Sequence, residues 1–149
     1  MGKILCATRG GEASIQTQDA AISKAKETGD ELIFMYVYDV EFLAYAKYTL
    51  RSDVVTDELG RMAEFLMAMA IDRAKQQGLT ARSVIRQGDF RTELVATAKE
   101  EQVTLVILGR PGDEESNFKI ERLQDLIESL EAETGIPFCI LPDCPTDTP

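Results

Sequence analysis

The apolar residues Val103 and Leu105 to Leu108, in the run VTLVIL, lead straight into the GxxG turn Gly109, Arg110, Pro111 and Gly112, and this pairing limits the fold more than any other stretch. A short apolar run without polar alternation suits a strand covered on both faces, as in parallel sheets flanked by helices. Such sheets bind ligands beyond the carboxyl ends of their strands. Glycines at that end let a ligand approach the backbone, because no Cβ stands in the way. The turn from Gly109 to Gly112 is therefore the first place to expect a site.

Around this stretch the chain alternates strand and helix signals. KILCAT, Lys3 to Thr8, reads as a first strand, and Arg9, Gly10, Gly11 and Glu12 turn into a helix from about residue 13 to Thr28. Gly29 occupies the left-handed cap position that ends a helix. Ile15, Ala21, Ile22 and Ala25 are spaced to share one face of that helix. ELIFMYVY, Glu31 to Tyr38, is rich in aromatic and β-branched residues and reads as a second strand. A strand, a helix and a strand in succession imply a right-handed crossover and a parallel pair.

Residues 40–55 place Phe42, Leu43, Tyr45 and Tyr48 among polar residues without a clean period. They read as a connector packed against the body, with a lid over a pocket as the other reading. Thr56 is an expected N-cap for a long helix reaching Gln77, with Asp57 and Glu58 in its first turn. Leu59, Met62, Ala63, Leu66, Ala70 and Ala74 form its expected sheet-facing side. Phe65, Met67, Met69 and Ile71 fall partly outside that side, which implies deep burial or a second apolar contact, to a partner subunit or to other parts of the chain.

Residues 81–86 read as a third strand, and Asp89 caps a helix over 90–102 that buries Leu94, Val95 and Ala98. After the fourth strand and its turn, Ile120, Leu123, Ile127 and Leu130 recur at helical spacing in a helix expected to begin near Ser116. Gly135 and Pro137 end it. Residues 136–141 read as a fifth strand, and 143–149 as a flexible tail. The expectation is one α/β domain over 1–142, a single open five-stranded parallel sheet with helices on both faces, doubly wound and Rossmann-like.

Charge and residue usage narrow the function. There are 26 acidic and 16 basic side chains, a formal charge of −10, so the molecular field repels phosphate backbones and anionic headgroups. Nucleic acid and membrane are not expected partners. No apolar stretch approaches the ~20 residues of a membrane helix, and the amino terminus lacks a signal-peptide layout, which reads as a soluble intracellular protein. Histidine is absent, excluding Ser-His-Asp and Cys-His catalysis and HExxH zinc sites. Cys6, Cys139 and Cys144 are odd in number and lack CxxC spacing, which argues against a disulfide framework or zinc site. Cys6 and Cys139 read as small core residues, and Cys144 as an exposed thiol in a Pro-rich tail.

Taken in order, ILCATRGGEAS, ELIFMYVYD, QGDFRTELVATAKEEQVTLVILGRPG and GIPFCILP resemble the segments of the universal stress protein family over nearly the whole chain. The resemblance implies a five-stranded parallel sheet of the adenine-nucleotide alpha hydrolase-like kind, frequent homodimerisation, a cytoplasmic setting and a role in stress tolerance or regulation. Members that bind ATP use the ends of the first and fourth strands. Carried across, the first-strand end corresponds to Thr8, Arg9, Gly10 and Gly11, with Arg9 where the family has aspartate. The valine whose backbone approaches adenine corresponds to Val37. Gly109 and Gly112 satisfy the first half of a pattern that continues, nine residues on, with Gly then Ser or Thr; Arg122 and Leu123 stand there instead. The candidate nucleotide or anion site is thus Thr8, Arg9, Gly10, Val37, Gly109, Arg110 and Gly112.

These departures have physical meaning. Asp113, Glu114 and Glu115 follow Gly112, and like charges a few ångström apart cost about 1 to 4 kcal/mol depending on screening, which disfavours a triphosphate without Mg²⁺. Arg9 and Arg110 are expected at neighbouring strand ends, where two guanidinium groups either clamp a phosphate or carboxylate or close the site through ion pairs with Glu12, Asp113 or Glu114. Three functions follow. The first is a nonenzymatic stress-response protein with a degenerate nucleotide site. The second is a sensor of AMP, ADP or ATP. The third, least favoured, is a metal-dependent hydrolase using Asp39, Asp113 or Glu114. An adenine nucleotide is the one cofactor in view, with no metal expected apart from it. The partners that the resemblance implies are regulatory proteins and a second copy paired through the last strand, where Pro137 and Pro142, which lack N–H donors, limit edge pairing to the few residues of FCIL.

Overall fold

The computed structural model describes residues 2–8, 12–38, 52–109 and 120–140. Within them the strands are β1 (Lys3–Thr8), β2 (Glu31–Tyr38), β3 (Ala81–Gln87), β4 (Leu105–Leu108) and β5 (Phe138–Ile140), and the helices are α1 (Glu12–Thr28), α2 (Ser52–Gln76), α3 (Phe90–Glu101) and α4 (Ile120–Thr134). All strand pairs are parallel, in the order β3-β2-β1-β4-β5. This is the expected doubly wound sheet.

Strand alternation sorts the core into two layers. Leu5, Ala7, Ile33, Met35, Val106 and Leu108 point to one face and pack with Leu94, Val95 and Ala98 of α3 and Leu130 of α4. Ile4, Cys6, Leu32, Phe34 and Ile107 point to the other, against Ala21, Ile22 and Ala25 of α1 and Met67, Ala70 and Ala74 of α2. Because β1 and β4 are covered twice, they carry no polar alternation. Asp89 caps α3 as expected, its carboxylate accepting from Thr92 N at 3.0 Å and Thr92 Oγ1 at 2.9 Å.

Several boundaries and faces differ from expectation. The second helix begins at Ser52, one turn before Thr56, which therefore lies inside it. Ser52 and Asp53 offer the same kind of start signal, and the β-branched pair Val54 and Val55 weakens the helical pattern between them. Its buried side is Ala63, Met67, Ala70 and Ala74, whereas Met62 is 53% exposed. Ala63, Ala70 and Ala74 bring the helix close to the sheet, Met67 fills the same line, and Leu66 and Ile71 pack half-buried on its flanks. On α1, Ile15 is 42% exposed while Thr17 and Gln18 are buried. The fourth and fifth strands are shorter than expected: Val103 is buried but precedes β4, and Pro137 lacks an N–H to extend β5. The Pro137 carbonyl still accepts from Val106 N at 3.0 Å.

Cys139 is buried, as expected of a small core residue, but it is disulfide-bonded, contrary to the argument against a disulfide framework. An apolar run looks the same in sequence whether the sulfur it carries is free or bonded. Cys6 is a free, fully buried thiol. The connector or lid over 40–51, the helix start near Ser116, Cys144 and the tail over 143–149 lie outside the described residues.

Candidate functional site

The sheet order fixes where a ligand can sit. From β1 the chain crosses over α1 to β2 and over α2 to β3, all on one side, and then returns over α3 to lay β4 on the other side of β1. The crossovers diverge between β1 and β4, leaving a crevice beyond their carboxyl ends. The β1/β4 register pairs Ala7 with Leu108, so Thr8 and Gly109 follow side by side at the mouth of that crevice. On the other flank Thr8 pairs with Tyr36, and β2 continues two residues further through Val37 and Tyr38. Val37 is 8% exposed, its side chain in the layer covered by α3 and α4.

Three residues expected from sequence, Thr8, Val37 and Gly109, are therefore brought to adjacent strand ends. Arg9, Gly10, Arg110 and Gly112 lie outside the described residues, as do Asp39, Asp113 and Glu114. Among the described residues no group of three or more His, Cys, Asp or Glu side chains gathers in metal-binding geometry.

Sequence reasoning missed what lies beneath the crevice. A Cβ on Gly109 would stand 2.6 Å from Thr17 Oγ1, so the backbone at the end of β4 rests directly on α1. Thr17 also turns its carbonyl toward Cys6 Sγ, 4.0 Å away, and Gln18 accepts a hydrogen bond from Arg73 of α2 through Oε1. Burial without a charged partner pushes the Cys6 thiol up to about 12, which keeps it protonated. A signal was present: Thr17, Gln18, Ala21, Ile22 and Ala25 continue one helical face, and polar residues on a buried face mark a packed polar junction. Beside the crevice, Gly60 of α2 lies against Tyr38, where a Cβ would be 3.3 Å from the phenolic oxygen. The amino-terminal part of α2 thus stands at the same end of the sheet as the site.

A doubly wound parallel sheet with glycine at the end of its fourth strand is the architecture in which α/β proteins place ligand sites at the switch point. Residues 1–125 match the model of the universal stress protein family, and the chain belongs to that family. A curated relative, universal stress protein YxiE of Bacillus subtilis strain 168, is 26% identical over 117 residues, spanning 74% of this chain and 79% of its own length. A universal stress protein solved in complex with cAMP superposes with a TM-score of 0.67 at 22% identity, covering 94% of this chain and 96% of the other. The universal stress protein from Archaeoglobus fulgidus solved with dAMP gives a TM-score of 0.61 at 11% identity, covering 94% and 96%. At such identities the solved structures establish the fold. Proteins of this family are in general noncatalytic. No helix among the described residues is long and apolar enough to cross a membrane.

Proposed function

We propose that this chain is a cytoplasmic stress-response sensor that binds an adenine nucleotide carrying a single phosphate in the crevice between β1 and β4. The observation that carries the reading is the adjacency of Thr8 and Gly109 at the switch point of the sheet, with the backbone of Val37 one strand away. Two structures of the same fold hold cAMP and dAMP, both single-phosphate adenine nucleotides. That favours a working nucleotide site over a vestigial one. The sequence departures fit this size of ligand: the missing Gly-Ser pair and the carboxylates of Asp113, Glu114 and Glu115 oppose a triphosphate. A monophosphate needs fewer donors, and Arg9 and Arg110 follow Thr8 and Gly109 directly in sequence.

Thermal unfolding of extensively dialysed protein with AMP, cAMP, ADP or ATP, each with and without Mg²⁺, tests the assignment. A ligand at a hundred times its dissociation constant stabilises the fold by about 2.7 kcal/mol, raising the midpoint by roughly 5 to 10 °C for a chain of this size. AMP or cAMP should give this shift and ATP a smaller one. Arg9→Ala combined with Arg110→Ala should abolish it. Equal midpoints with every nucleotide would end the sensor reading.

A further inference from the structure

Among the described residues the large apolar side chains left exposed are Ile15 on α1 and Met62, Phe65 and Met69 on α2, at 42%, 53%, 64% and 43%. The three on α2 are spaced by three and four residues and form one stripe, about 140° around the helix from the side that buries Ala63, Met67, Ala70 and Ala74. Glu58, Asp72, Arg73 and Gln76 continue the stripe at both ends, and an open groove of about 340 Å³ runs beside Phe65, Met69 and Arg73. Exposed apolar side chains in a contiguous line, rimmed by charge, mark an interaction surface.

We infer that this stripe is a self-association surface on which α2 of a second copy packs antiparallel. The stripe is self-complementary about a twofold axis passing between Phe65 and Leu66. That axis sets Met62 against Met69 of the second copy, brings the two Phe65 rings together at the centre, and sets Glu58, which also pairs with Arg61 of its own helix at 3.3 Å, against Arg73 of the second copy, a guanidinium that donates one of its N–H groups to Gln18. Symmetry makes the Met62–Met69 and Glu58–Arg73 pairings each occur twice and the Phe65 pair once. The opposed helix dipoles add to the attraction. Sliding the copies toward a Phe65–Met69 pairing instead places Arg61 against Arg73, two like charges, so the register is specified by charge as well as shape. A chain of net charge −10 repels copies of itself at long range, and only a face with opposite charges correctly placed overcomes this. Two turns of exposed apolar surface are less than the ~800 Å² per partner of a standard stable interface, so the association is concentration-dependent rather than permanent. This surface is separate from the edge of β5 and does not depend on the nucleotide assignment.

Sedimentation equilibrium of the full chain from about 10 µM to about 1 mM reads the association directly. Phe65→Glu should weaken it at least about tenfold while leaving the circular dichroism and thermal midpoint of the monomer unchanged, because Phe65 is exposed and belongs to neither core layer. Glu58→Arg, which leaves the Arg73–Gln18 contact in place, should weaken it as well. A wild-type chain that stays monomeric throughout, or an association untouched by Phe65→Glu or by Glu58→Arg, would each overturn the inference.

Discussion

Gly109 is a position where one methyl group decides whether the crevice keeps its shape. An alanine Cβ at 2.6 Å from Thr17 Oγ1 requires that hydroxyl to turn away or α1 and β4 to part, and overpacking of this kind costs up to about 3 kcal/mol. Gly109→Ala should lower the urea midpoint accordingly. Thr17→Ala in the same chain should recover part of the loss, since the next Thr17 atom, Cβ, would stand 3.6 Å from the added methyl. Additive effects of the two substitutions would show that this contact does not limit the approach of α1. Cys6, protonated up to about 12, should resist thiol reagents at pH 8 in the folded protein and react once unfolded, as peptide mapping after labelling would show. Its contribution to stability is present below the ordinary thiol value of about 8.5 and is lost as pH rises toward about 12. At this scale the sequence told the type of residue better than its neighbours. Ile15 and Met62 looked like core and are exposed, while Thr17 and Gln18, which the apolar pattern passed over, are buried. Hydrophobicity indicates a preference for burial, but where a helix lies across a sheet is decided by the small residues that permit close approach, here Ala63, Ala70 and Ala74.

The helix α3 shows how far local chemistry reaches. Backbone N–H donation from Thr92, followed by its hydroxyl, holds the Asp89 carboxyl below the usual carboxylate range. A depressed folded value means that the cap stabilises above the unfolded value of about 3.9 and is lost as pH falls through the folded value. Asp89→Ala should therefore lower the thermal midpoint at pH 7, and the gap to wild type should narrow below pH about 3.9. A gap independent of pH would assign the loss to the backbone rather than the carboxylate. The start of α3 was legible because its signal is complete within four residues, whereas β5 was overextended because its end depends on distant partners. Phe138 N donates to Glu131 Oε2 of α4 at 2.9 Å, a contact that no local pattern in IPFCIL announces. The edge strand β3 also read weakly, since it is half-buried along most of its length. Arg82 is paired with Glu31 and Glu101, and Arg86 with Glu100, charges that guard an edge against pairing with other chains.

For the whole molecule, the parallel sheet with helices on both faces and the neighbouring ends of the first and fourth strands were readable because a βαβ alternation with two uninterrupted apolar strands admits few topologies. The crevice followed from that order, while the arginines expected around it lie outside the described residues. Net charge acts at this scale too. A field from −10 charges opposes ATP more than AMP, so raising ionic strength should narrow the difference between the thermal shifts that the two produce. Unchanged ratios from low to high salt would place the discrimination in the local carboxylates alone. The same strand order has a consequence for synthesis. β1 leaves the ribosome before both of its neighbours, yet the second of them is β4, and Lys3 is tied to Thr104 by backbone and side-chain hydrogen bonds of 2.7 to 3.0 Å across 101 positions. Until about two-thirds of the chain has emerged, the central strand has one bare edge. A nascent chain halted before residue 105 should present that edge to chaperones and to its neighbours on the same message, whereas one released after β4 should not.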